Sequence, residues 1–105
     1  MVLIMVTAWI PPDKIAEAAQ KYMEVLQKFP EQPFEKPLVE AASTSTKDGI
    51  KVISIGEVER GKYEEAMDLV TKRNAEYYGI KGYRYEVETL ATLGEALPAI
   101  GMAPP

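Results

Sequence analysis

Few groups in this chain can do chemistry, and they fall into four sets. Trp9 closes an apolar run just before an amphipathic segment, a position from which an indole reaches the mouth of a cleft between sheet and helices. It can stack there on a flat ligand, or serve as a core aromatic with its N–H satisfied nearby. Asn74 falls in register with Tyr63, Met67 and Val70 on the inward stripe of a helix. A buried amide must be hydrogen-bonded, to a strand end or to a ligand. Six tyrosines, at positions 22, 63, 77, 78, 83 and 85, are split between the helical segments and the last strand. They line an aromatic pocket, or fill core and interface with their hydroxyls toward water. A phenol acts as a base near neutrality only with a strongly lowered pKa. Arg84, Glu86 and Glu88, with Lys51, Glu57 and Glu59, either put charge inside a cavity or pair across strands on a wetted surface. The candidate ligand-binding set is therefore Trp9, Asn74, Tyr83, Tyr85 and Arg84, and no spacing marks a catalytic residue.

Composition narrows the chemistry further. The 105 residues contain no histidine, which removes the commonest neutral-pH base, the commonest metal ligand and the usual proximal haem ligand. They contain no cysteine, so no disulfide, thiolate nucleophile or cysteine metal site exists, and a reducing cytosol suits the chain. No metal, haem or other cofactor is expected. The 12 basic and 16 acidic residues are interspersed and give a net charge of -4, which leaves no basic stripe to neutralise a phosphate backbone. The N-terminal apolar run is too short to span a bilayer, and no basic region precedes it. Nucleic acid and membrane are therefore not expected partners.

Periodicity then gives the elements that must position these residues. Val2 to Ile10 is apolar at nearly every position, as in a central strand buried on both faces. Ile15, Ala18, Ala19, Tyr22, Val25, Leu26 and Phe29 recur at helical spacing, with Pro12 and Asp13 suited to the first turn and Pro30 to the stop. Glu17 with Lys21 and Glu24 with Lys28 have the favourable order for surface pairs. Residues 30–37 hold three prolines around Phe34, a stiff spacer or a lid. Runs 38–46 and 50–59 flank Lys47-Asp48-Gly49, a hairpin signal, and Gly56 offers a bulge or a close packing contact. A second helix follows from Tyr63 to Tyr77, which Gly79 is placed to end in a left-handed conformation. Residues 83–92 read as the last strand, with Tyr83, Tyr85, Val87 and Thr89 on one face and Arg84, Glu86 and Glu88 on the other. The tail, 94–105, is apolar, broken by Pro98, and suits a short helical turn that covers an edge or reaches a neighbour.

The order strand, helix, strand, strand, helix, strand gives an α+β domain spanning 1–105: a four-stranded antiparallel sheet with two helices on one face. Over residues 2–92 it resembles the ferredoxin-like βαββαβ fold and, within it, the dimeric α+β barrel superfamily. That resemblance implies a homodimer in which two sheets face each other. It also brings a choice of activities, from cofactor-free monooxygenases and lactone isomerases to haem-handling proteins, the last disfavoured here by the lack of histidine. RNA-recognition motifs share the topology, but the segment Ile50–Glu57 carries no aromatic on which a base would stack.

The expectation is a cytoplasmic homodimer binding a small apolar or aromatic molecule. Two alternatives stand beside it. One is a cofactor-independent monooxygenase or isomerase with Trp9 and Asn74 positioning substrate and a tyrosine or Arg84 stabilising negative charge. The other is a structural or interaction module with no pocket.

Overall fold

The structure is a computed structural model, and it describes residues 2–103. Its elements run β1 (Val2–Ile10), a single turn of 3-10 helix (Pro12–Lys14), α1 (Ile15–Lys28), β2 (Glu35–Thr46), β3 (Gly49–Val58), α2 (Tyr63–Ala75), β4 (Arg84–Leu90) and α3 (Leu93–Ala99). The strands form one antiparallel sheet in the order β2-β3-β1-β4, so the expected ferredoxin-like α+β fold is the one observed. Of the expected 94–105 tail, Pro104 and Pro105 lie outside the described residues, as does Met1.

The even-numbered residues of β1 supply the core. Val2, Ile4 and Val6 pack with Val58, Val87 and the α2 residues Ala66, Met67 and Val70. At the other end of the strand Ile10 joins Ala18 and Val25 of α1, together with Tyr77, Ile80 and Tyr83. Both helices therefore cover the same face, because side chains two residues apart on a strand share a face. The odd-numbered residues Leu3, Met5, Thr7 and Trp9 project from the opposite face, away from α1 and α2, where Leu3, Met5 and Trp9 are half-buried and the small Thr7 is buried. Register carries that face across the sheet, through Lys51, Ile53, Ile55 and Glu57 on β3 and Arg84, Glu86, Glu88 and Leu90 on β4.

Several local expectations are corrected. β2 begins inside the proline-containing segment, and Phe34 just before it packs on the Ile4 cluster, so the segment is a spacer anchored by its aromatic. The β-bulges sit in β2, between Pro37 and Val39 and between Val39 and Ala42, whereas Gly56 keeps regular register with Ile4 and a side chain there would meet only the Lys36 carbonyl oxygen at 3.9 Å. In the second bulge Ala41 takes a φ of 47°, and its N–H donates to Ser54 Oγ at 3.1 Å. Gly79 is not left-handed. α2 ends at Ala75 and the chain leaves through tight turns, Tyr77 N to Asn74 O at 3.1 Å and Tyr78 N to Ala75 O at 3.2 Å, with the left-handed residue at Gly82. On α1 the charge pairs also differ: Lys21 meets Glu24 at 2.9 Å, and Lys28 crosses to Glu76 at 3.0 Å. Each lysine takes the carboxylate nearest in three dimensions.

The tail forms α3 as a self-contained turn of helix. Thr92 and Glu95 build a capping box, the Glu95 N–H donating to Thr92 Oγ1 and the Thr92 N–H to Glu95 Oε1, each at 3.2 Å. Beyond it Met102 N donates to Leu97 O at 2.9 Å. Yet Leu93, Ile100 and Met102 stay more than half exposed. Backbone bonding shapes this segment, and its own chain buries little of it.

Candidate functional site

Four of the five candidate residues gather where β1 ends and β4 begins. Trp9, Tyr78, Tyr83, Arg84, Tyr85 and Glu86 line an open cleft of about 830 Å3. That is ample room for a small organic molecule. The cleft wraps the start of β4: Trp9 and Arg84 are direct partners in the β1–β4 register and project from the open face. Tyr85 partners Ala8 and Tyr83 packs on the Ile10 cluster, so both phenols lie toward the helices.

Pro11, Asp48 and Gly82 complete the wall, and residue-by-residue reading did not single them out for it. Gly82 has a φ of 86°, and a Cβ there would lie 2.8 Å from Pro11 Cγ. Only glycine lets the two segments approach so closely without displacement. A glycine immediately before the expected strand at 83–92 was the available signal.

Asn74 stands apart from this group. It is 7% exposed in α2, its amide donates to the Val70 carbonyl oxygen at 2.8 Å, and it does not line the cleft. Its partner is its own helix one turn earlier, not a strand end.

The tyrosines form two stacked pairs. Tyr77 and Tyr83 lie 4.6 Å apart between ring centroids with an interplanar angle of 11°, and Tyr78 and Tyr85 lie 6.4 Å apart at 25° with their hydroxyls 3.2 Å from each other. Burial, then the neighbouring Tyr22, pushes the Tyr77 phenol up to about 12. Burial likewise raises Tyr83, reinforced by Tyr77 and Tyr85, and the hydrogen bond with Tyr78 raises Tyr85. Every one of these shifts is upward. The phenols of Tyr77, Tyr83 and Tyr85 stay protonated near neutrality, so they can donate hydrogen bonds but are not poised as general bases. Among the described residues no group of three or more acidic side chains gathers closely enough to hold a metal ion. Among them, too, no helix is long and apolar enough to cross a membrane.

No family model matches the sequence, and no curated protein matches it. Solved structures do. The chain is similar to the de novo designed protein Foldit4, with a TM-score of 0.59 and 15% identity over 87% of this chain and 97% of that one. It is similar to a provisionally assigned antibiotic biosynthesis monooxygenase from Caulobacter crescentus, with a TM-score of 0.56 and 18% identity over 87% and 89% of the two chains. A provisionally assigned PII-like signalling protein from Thermus thermophilus covers 91% of this chain at a TM-score of 0.43, too distant to carry an argument. At these identities the likeness is one of fold alone, and a designed protein bearing the same fold illustrates that architecture does not carry activity with it. What the likeness supports is the ferredoxin-like α+β fold.

Proposed function

We propose that the protein is a cytoplasmic homodimer, each chain a single domain, whose open sheet faces close on each other and roof the cleft at Trp9. The shared chamber binds a small apolar or aromatic molecule without metal or haem. The observation that carries this reading is the uncovered face of the sheet, where Leu3, Met5, Ile53, Ile55 and Leu90 form an apolar centre with Arg84, Glu86, Glu88 and Glu57 around it. An apolar core with a polar rim is the anatomy of a protein–protein interface.

Surface area supports the same reading. The single chain exposes 7091 Å2, whereas a compact monomer of 11.7 kDa exposes about 5,900 Å2. The excess, about 1,200 Å2, is more than the roughly 800 Å2 that each partner buries in a standard interface. Shape agrees: the radius of gyration is 15.4 Å against about 13 Å for a compact domain of this length, and the shortest extent is 17 Å, one sheet and one helix layer. The exposed Leu93, Ile100 and Met102 of the tail add apolar surface that a second copy would cover.

A second reading is a cofactor-independent monooxygenase or isomerase. It draws on the fold shared with the Caulobacter crescentus protein and on protonated phenols beside Arg84, which suit stabilisation of developing negative charge. Native mass spectrometry of protein purified from its own host tests the first reading. Two equal chains with an added small mass are expected. A lone folded chain at working concentration with nothing retained would overturn it, and product formed from a candidate aromatic substrate would favour the enzyme.

A further inference from the structure

Trp9 sits between two cations. Its lateral partner on β3 is Lys51 and its lateral partner on β4 is Arg84, so indole, ammonium and guanidinium project in a row from one face of the sheet. Directly opposed residues of antiparallel strands have Cβ atoms about 4.5–5.5 Å apart; Arg84 lines the cleft itself, and Lys51 stands outside its lining on the other side of the indole, from where its long side chain reaches the margin of anything stacked on Trp9. Neither cation is committed elsewhere: the five ion pairs among the described residues involve Lys21, Lys28, Lys62, Lys72 and Arg73. Glu86 also borders the cleft, but its lateral partner on β1 is Thr7, a pleat repeat of about 6.6 Å along the strand. Asp48 approaches from the β2–β3 turn and is not a strand partner of Trp9. The immediate flanks of the indole are therefore positive although the chain as a whole is acidic.

We infer that the cleft takes a flat aromatic carboxylate, its ring stacked on Trp9 and its acid group held by Arg84 and Lys51. The inference rests on the reading that this cleft binds a small molecule, and it names that molecule's class. A planar guanidinium meets a carboxylate through two parallel hydrogen bonds and a lysine adds a point charge, whereas the tyrosines on the far side of β4 can donate only neutral hydrogen bonds. A neutral aromatic would leave the two cations beside the indole with only Glu86, a pleat repeat away, and Asp48 of the turn as counter-charges once a second copy roofed the site. An aromatic cation would meet repulsion from both sides.

The chain's single tryptophan makes the test direct, since its indole N–H gives one resonance in nitrogen-labelled protein. Naphthoate, with the matched naphthalenemethanol and naphthylmethylammonium, is titrated while that resonance is followed. Naphthoate is expected to bind at least about tenfold more tightly than the alcohol, with the ammonium weakest. In the Lys51→Gln/Arg84→Gln double variant the preference should shrink to within about threefold while affinity for the alcohol holds. Equal affinities for acid and alcohol, a preference for the cation, or a preference that survives the double variant would each overturn acid recognition and leave an aromatic cleft. No movement of the resonance with any of the three would overturn the cleft as well. Native mass of the same samples reports pairing separately, so a monomer that still prefers naphthoate sinks the dimer and not this assignment.

Discussion

Arg73 of α2 grips Glu35 at the start of β2 through both guanidinium arms, Nη1 to Oε1 at 2.7 Å and Nη2 to Oε2 at 2.9 Å. The same side chain donates from Nε to the Phe29 carbonyl at 3.2 Å and from Nη2 to the Pro30 carbonyl at 3.1 Å. One residue thus joins the end of α1, the proline-rich spacer and the second helix. The arrangement explains why that segment is fixed as a spacer. At 23% and 13% side-chain exposure the pair is largely withdrawn from water, where removing one partner strands the other.

Replacing Arg73 by alanine should therefore cost about 2 kcal/mol of stability, measured by urea unfolding, and Glu35→Gln somewhat less. The pair also sets a pH dependence. Burial alone would raise the Glu35 carboxyl, but the hydrogen bonds from Arg73 and the Gln32 N–H, with the arginine's charge, outweigh it and hold the carboxyl below its usual value. A carboxyl depressed in the folded state stabilises above its unfolded pKa, and that contribution disappears as pH falls through the folded one. Wild-type protein should lose stability below about pH 4.5 more steeply than Glu35→Gln. Parallel curves for the two proteins would remove the pair from the acid response.

Asn74→Ala separates a structural amide from a functional one. The side chain is buried and bonded within its own helix, so truncation removes one hydrogen bond and some packing, about 1–2 kcal/mol, without touching the cleft. Thermal unfolding should shift downward while ligand-induced movement of the Trp9 indole resonance stays as in wild type. A variant that unfolds normally but no longer responds to ligand would return Asn74 to the site.

Gly49 is the turn residue with least freedom to change. Its φ is 129°, and an added Cβ would collide with the Ile10 carbonyl oxygen, a backbone atom that cannot swing aside. Gly49→Ala should destabilise by about 2–3 kcal/mol, readable in urea unfolding, through strain in the positive-φ region and displacement of the end of β1. Because that displacement reaches the strand bearing Trp9, ligand affinity should fall along with stability. A variant as stable as wild type would mean that the turn relaxes freely.

The hairpin at Asp48-Gly49 was legible because its signal is local, and so was the alternation that separates Tyr83, Tyr85, Val87 and Thr89 from Arg84, Glu86 and Glu88. Periodicity also put both helices on one face. What could not be read depends on pairings between distant segments. Lys51, Trp9 and Arg84 become neighbours only through the β1–β3 and β1–β4 registers, which no single segment specifies. Glu35 belongs to β2 despite the prolines around it, because Arg73, 38 residues away, holds it there. Gly79 drew attention as a helix terminator because glycine favours left-handed backbone, yet consecutive turns bonded three residues apart deferred that need to Gly82. Lysine partners on α1 differ from the spacing rule because that rule describes an isolated helix: Lys28 takes Glu76 from outside it, while Lys21 takes Glu24 three residues on.

The open face itself carries the last prediction. Met5 and Ile55 are partners in the β1–β3 register at its centre, and neither belongs to the core clusters beneath the helices. In an isolated chain both positions are half-buried, and a charged side chain there can still reach water, so the change costs about 1 kcal/mol. In a pair of facing sheets the same charge would be desolvated against apolar neighbours, at a cost of several kcal/mol, enough to separate the copies. Met5→Lys and Ile55→Glu should therefore each give folded single chains by native mass spectrometry and sedimentation, with circular dichroism unchanged. A core substitution such as Ile4→Ala provides the contrast, losing about 2–5 kcal/mol of fold stability whatever the number of copies. Should both charged variants remain paired, the face that binds the second copy must lie elsewhere, and the excess exposed area would have to be assigned to the edges of the sheet and to α3.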